Sequence, residues 1–125
     1  MTSANAYLIC SDLMWISRVT GVAKDLGHRI VAVRHLETWE TRLAQEPAAL
    51  VIIDLDLGPA TRISDVLRRA GNPPCRMVAF GSHVATAELA AARDAGCDPV
   101  LPRSTMAAHL PDLLTQWLSV DPASP

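Results

Sequence analysis

Neither sign of charge is in excess in this chain: Lys and Arg number 11 against 13 Asp and Glu, a formal net charge of -2. A basic stripe for nucleic acid and an acidic tail are both lacking, so electrostatics name no partner and no nucleic acid is expected. Apolar runs fall far short of the roughly 18 residues that a membrane span needs. The opening MTSANAY also lacks a basic region followed by an apolar signal core. No membrane contact is expected, and the expected location is cytoplasmic. Cys10, Cys75 and Cys97 form no CxxC pair and no Cys/His ligand spacing. Zinc and disulfide roles give way to free, mostly buried thiols. A Gly-rich phosphate loop, a GxSxG elbow, a Ser/His/Asp arrangement, internal repeats and low-complexity segments are missing as well.

What is present suits one domain with one core: 125 residues, half of them hydrophobic. Five short apolar segments recur, AYLIC (Ala6 to Cys10), RIVAV (Arg29 to Val33), ALVIID (Ala49 to Asp54), RMVAFG (Arg76 to Gly81) and DPVLP (Asp98 to Pro102). Each is too short for a helix and most carry β-branched residues, so they read as buried strands. Between them the apolar residues return at helical spacing: Ile16, Val19, Ala23 and Leu26; Leu36, Trp39 and Leu43; Ile63, Val66, Leu67 and Ala70; Leu89, Ala92 and Ala95. A final stripe runs Met106, Leu110, Leu113, Leu114, Trp117 and Leu118 and predicts one closing helix. Gly27, Pro47, Gly71 to Pro74 and Gly96 are the stops. Strict alternation of strand and helix implies an α/β three-layer sandwich, a parallel sheet covered on both faces by five helices. The domain is expected to span 1–119, with 120–125 a frayed tail and no output domain after it.

Open parallel sheets bind ligands beyond the carboxyl ends of their strands, where the strand order reverses. In the flavodoxin-like order 2-1-3-4-5 that point lies between the first and third strands. Ser11 and Asp12 leave the first, and Asp54 and Asp56 leave the third. Crowded carboxylates favour a cation, and magnesium is the hard, oxygen-seeking choice. A carboxylate beside it can attack a phosphoryl group to form an acyl phosphate.

These residues, with the stretch AAARDAGCDPVLPRS (Ala90 to Ser104), make the chain resemble the receiver domain of bacterial two-component response regulators over nearly its whole length. The resemblance implies that Asp54 is the phosphoacceptor, that Asp12 and Asp54 ligate magnesium, and that Asp56 lies where the family offers a backbone carbonyl to the metal. Its departures are Ser11 for the first acid of the pair, Gly81 for the switch hydroxyl with Ser82 one residue later, Arg103 for Lys, and Ser104 for Pro. Glycine has no hydroxyl, and arginine is a fork rather than a compact ammonium. One negative charge is gone, so magnesium binding is weakened.

The implied function is a stand-alone receiver-like module in phosphorelay signalling with a weakened switch. It binds a sensor histidine kinase or other signalling protein through the face made by the fourth helix, fifth strand and fifth helix, about Thr86 to Leu118. A homodimer through the last helix face is a further expectation. The close variant is a pseudo-receiver that works without phosphorylation. The rival of another class is a small magnesium-dependent phosphohydrolase or phosphotransferase using Asp54 and Asp12, for which little chain is left to build a pocket. A flavin binder is disfavoured, because SDLMW stands where a phosphate loop belongs. Plain structural readings sit beside these: Asp54 as a turn cap, Asp12 as a helix N-cap, Arg103 as an ion-pair partner of Asp54 or Asp56. The tryptophans read as core, and His28, His35, His83 and His109 as surface or core-edge residues.

Overall fold

A computed structural model describes residues 5–118. The chain alternates β1 (Ala6–Ile9), α1 (Leu13–Asp25), β2 (Ile30–Val33), α2 (Leu36–Gln45), β3 (Leu50–Asp54), α3 (Ala60–Arg69), β4 (Arg76–Gly81), α4 (Thr86–Asp94), β5 (Val100–Pro102), α5 (Arg103–Ala108) and α6 (Leu110–Leu118). All strand pairs are parallel and the sheet runs β2-β1-β3-β4-β5. Four of the five predicted strands lose one or two residues at an end, and the sheet order is the expected one.

Side chains alternate across each strand, and both faces are covered. Tyr7, Ile9, Val51, Ile53 and Ala79 join Trp39, Leu43, Ile63, Val66 and Leu89 from α2, α3 and α4 in one core cluster. Leu8, Cys10, Ile52, Val78 and Phe80 join Val19, Ala23, Met106, Leu110, Leu114 and Trp117 from α1, α5 and α6 in the other. Each fully buried aliphatic chain, such as Leu43 or Ile63, stabilises the fold by roughly 1.5–3 kcal/mol. Gly27 and Gly96 end α1 and α4 with φ of 84° and 101°. There the next amides, His28 and Cys97, reach back to the Ala23 and Ala92 carbonyls.

Two expectations need correction. Helical spacing puts Leu26 on the apolar face of the first helix; it lies one residue past α1 and is exposed, because the turn into Gly27 has begun. The described residues form six helices, not five: the predicted closing helix breaks at His109 into α5 and α6. Pro111 is the cause. It has no N–H for the Ala107 carbonyl, but in the first turn of a new helix that absence costs nothing. The Arg18 guanidinium of α1 donates to the Ala107 carbonyl instead, at 2.8 Å. Buried Met106, Leu110, Leu114 and Trp117 hold one apolar line across the break. The expected frayed tail, 120–125, lies outside the described residues. Among the described residues no helix is long and apolar enough to cross a membrane.

Candidate functional site

Asp54 is the last residue of β3, and at 3% exposure it stands alone among the described residues as a buried charged side chain. A carboxylate there must be paired and hydrogen-bonded, or its desolvation would unfold the strand end. Both oxygens are occupied. Oδ1 accepts from Arg103 Nη2 at 2.9 Å and from the Asp56 backbone N–H at 3.0 Å. Oδ2 accepts from the Cys10 thiol at 3.2 Å.

Register explains each partner. Ile9 pairs with Ile53, so Cys10, next after β1, arrives beside Asp54 at the point where the chain crosses over in opposite directions from β1 and β3. Burial, with the Asp54 and Asp12 carboxylates adding to it, pushes the Cys10 thiol pKa up to about 12. The thiol therefore stays protonated and acts as a donor. Arg103 opens α5 directly after β5 and crosses the end of β4, its guanidinium carbon 5.6 Å from the Phe80 ring centre. The same Nη2 donates to Asp56 Oδ2 at 2.9 Å, a second arm whose acid is 72% exposed.

Asp12 comes to the same end of the sheet. The Cys10 sulfur lies 3.7 Å from the Asp12 carbonyl oxygen and 3.2 Å from Asp54 Oδ2. Its carboxylate caps α1, accepting from Met14 N–H at 2.9 Å and Trp15 N–H at 3.4 Å. Ser11 is exposed, and Ser82 turns its hydroxyl to its own loop, accepting from Val84 N–H at 3.4 Å. His83 is exposed, as are His28, His35 and His109, and the three thiols are free.

Sequence reasoning missed two residues here. Cys10 reads as inert core, although its place directly before Ser11 and Asp12 at a strand end is the signal that it faces the site. Leu55 is the other. A Cβ built at Gly81 meets Leu55 Cδ1 at 3.3 Å, Leu55 Cβ at 3.4 Å and Leu89 Cδ2 at 3.6 Å. A side chain at Gly81 would thus press on Leu55 by a few tenths of an ångström.

The arrangement is a test of the magnesium expectation. Asp12 caps a helix, Asp54 has both oxygens engaged, Asp56 is paired, and Ser11 supplies no charge. Among the described residues no group of three or more His, Cys, Asp or Glu is placed to hold a metal ion. As they stand, these donors do not fit the ion. A cavity of about 790 Å³ opens at the opposite end of the sheet, lined by Asn5, Arg29, Leu50, Arg76 and Trp117 among others.

No protein-family model matches the chain, and no curated protein matches it. Solved structures do. A response regulator from Thermotoga maritima superposes with a TM-score of 0.73 at 14% identity, covering 95% of this chain and 100% of that one. A co-crystal structure of the Saccharomyces cerevisiae histidine phosphotransfer protein Ypd1 with the receiver domain of its response regulator Ssk1 matches with a TM-score of 0.70. Its identity is 15%, over 93% of this chain and 89% of that one. HP1043, an orphan response regulator of H. pylori, matches with a TM-score of 0.67 at 14% identity, over 90% and 97%. On these superpositions, the chain has the fold of response-regulator receiver domains.

Proposed function

We propose that this chain is a receiver-type signalling module that acts by binding another signalling protein, with Asp54 in the phosphoacceptor position and its switch weakened. The observation that carries the reading is the position and state of Asp54. It is a buried carboxylate at the topological switch point, with Arg103, Cys10 and the Asp56 amide already on its oxygens. A phosphoryl donor meets a carboxylate whose Oδ1 carries Arg103 and whose Oδ2 carries the Cys10 thiol. No side-chain hydroxyl is offered at Gly81, and a Cβ there would crowd Leu55.

Partner binding is supported by the fold analogy, since one neighbour is described as a receiver domain in complex with a histidine phosphotransfer protein. The partner surface is assigned to α4, β5 and the closing helices, where α4 turns Ala87, Ala90 and Ala91 outward after an exposed Val84. A sensor histidine kinase or a related phosphotransfer protein is the partner class. Self-pairing through α6 has less support, because Pro111, Asp112, Thr115 and Gln116 are its exposed residues and form a polar strip. The same Asp54 contacts favour a second reading, a pseudo-receiver that needs no phosphoryl group at all. The hydrolase reading has no support from the cavity described above, which lies away from the acids.

Intact mass after incubation with a small acyl-phosphate donor and magnesium tests this, with Asp54→Asn as control. The expected result is a substoichiometric phosphoryl adduct that disappears in the control, with partner binding the same in both proteins. No adduct with partner binding intact selects the pseudo-receiver. A stoichiometric adduct, or repeated turnover of phosphate esters, overturns the proposal.

A further inference from the structure

We infer that the cavity at the end of the sheet opposite Asp54 is a binding site for a small amphipathic carboxylate, an apolar body carrying one acidic head. At about 790 Å³ its volume falls within the ~300–1,000 Å³ that small-molecule pockets occupy. Register builds it. Ala6 opens β1 and pairs with Ile30 and Leu50, and Leu50 pairs in turn with Arg76, so the cavity lies at the first residues of four adjacent strands. Ala6 and Ala49 leave room there, and Leu50, Leu118 and the Trp117 indole supply apolar wall.

Charge selects the ligand. Arg29, directly before β2, and Arg76, first in β4, both line the cavity and are exposed, whereas its described lining residues include no Asp or Glu. Neither guanidinium forms an ion pair among the described residues, and Arg76 engages only its Nε, on the Asp98 carbonyl at 3.4 Å. Two permanent positive charges without a counter-charge favour an anion entering from solvent. A second observation is independent of charge. Trp117 is 5% exposed, and its Nε1–H is buried without an acceptor among the described residues. Such a group calls for a partner that the fold itself does not supply. A phosphate ester would call for a cradle of amides, and the chain has no Gly-rich loop; a carboxylate needs only a guanidinium fork.

Cys75 makes the test direct, because this half-buried thiol lines the same cavity while Cys10 and Cys97 are buried elsewhere. Octanoate is the probe, octanamide supplies the body without the charge, and acetate supplies the charge without the body. The full chain is titrated with each, following maleimide labelling of Cys75 and the indole N–H signals by NMR, with Trp117 assigned from Trp117→Phe. Octanoate is expected to slow Cys75 labelling and to shift the Trp117 signal with one dissociation constant. The Trp39 signal, from an indole equally without an acceptor but away from the cavity, should stay in place. Octanamide and acetate are expected to bind at least ~tenfold more weakly. The exposed pair Arg29→Gln/Arg76→Gln should weaken octanoate about tenfold. Ala49→Trp, which fills the cavity from an exposed position, should abolish its binding. Lack of either the protection or the Trp117 shift with octanoate overturns the inference, as does equal binding of octanamide or undiminished binding in either variant. Asp54→Asn is expected to bind octanoate as the native chain does, so the outcome is separate from that of the mass experiment.

Discussion

Removing the guanidinium should separate two arms of one ion pair that look alike in distance and differ in burial. Both are 2.9 Å long, but the Asp54 side chain is 5% exposed and the Asp56 side chain 72%. Breaking a fully buried pair costs about 3–5 kcal/mol. Asp54 retains the Asp56 amide and the Cys10 thiol when Arg103 is gone, so Arg103→Ala is expected at ~2–3 kcal/mol. Asp54→Asn leaves Arg103 its Asp56 arm, and ~1–2 kcal/mol is expected. Asp56→Asn breaks only a solvated contact and should cost at most ~0.5 kcal/mol. The double variant Arg103→Ala/Asp54→Asn should fall short of the sum of the singles by ~1–2 kcal/mol, the coupling of the buried arm. Urea unfolding in chelator, followed by far-ultraviolet circular dichroism at low and moderate salt, measures all four. The Asp56→Asn effect should fade with salt and the Asp54→Asn effect should not. Equal losses from the two acids, or an Arg103→Ala loss below ~0.5 kcal/mol, refute the assignment of Asp54 as the buried, dominant arm.

The remaining predictions concern the surroundings of the site. Gly81→Thr restores the family's hydroxyl but presses on Leu55 and Leu89, so a loss of ~1–3 kcal/mol is expected, partly recovered by Leu55→Ala in the same chain. Arg18→Ala leaves the Ala107 carbonyl without its donor at the α5–α6 break and should cost ~1 kcal/mol in urea unfolding. Burial raises the thiol pKa from 9.0 to about 12 at Cys10 and about 11 at Cys97. The unfolded chain loses those protons above pH ~9 while the folded chain keeps them, so stability is full below that pH and declines above it. The slope expected is ~1.4 kcal/mol per pH unit for each thiol, seen as a falling denaturation midpoint that flattens in Cys97→Ala. Thiol labelling at neutral pH should modify the half-buried Cys75 first and reach Cys10 and Cys97 only on unfolding.

Periodicity made the layers legible. The Leu36, Trp39, Leu43 stripe is buried as spaced, and the five apolar segments pair in the order their alternation with helices implies. The break at His109 was harder to see, because the apolar line from Met106 to Trp117 keeps helical spacing across Pro111. Only the lost donor for Ala107 betrays it. At the site, topology alone brings Asp12 and Asp54 to one end of the sheet, and Arg103 reads as an ion-pair partner of Asp54 or Asp56; the structure has it on both of these. What no linear pattern holds is register and volume. That Cys10 meets Asp54 depends on the alignment of β1 with β3, and that Leu55 crowds the Gly81 position depends on the spacing of β3 and β4.

The Phe80 ring beneath Arg103 has a tryptophan as its other neighbour: Trp15 lies 5.0 Å away between ring centres, with Arg18 over it at 5.9 Å. Guanidinium, phenyl and a tilted indole therefore lie in contact from the acids to α1, and Trp15 is the half-buried one of the three indoles. Loss of Arg103 from Phe80 alters the charge next to the ring that Trp15 touches, so a change in Trp15 emission on Arg103→Ala, absent in a Trp15→Phe background, is the expected outcome.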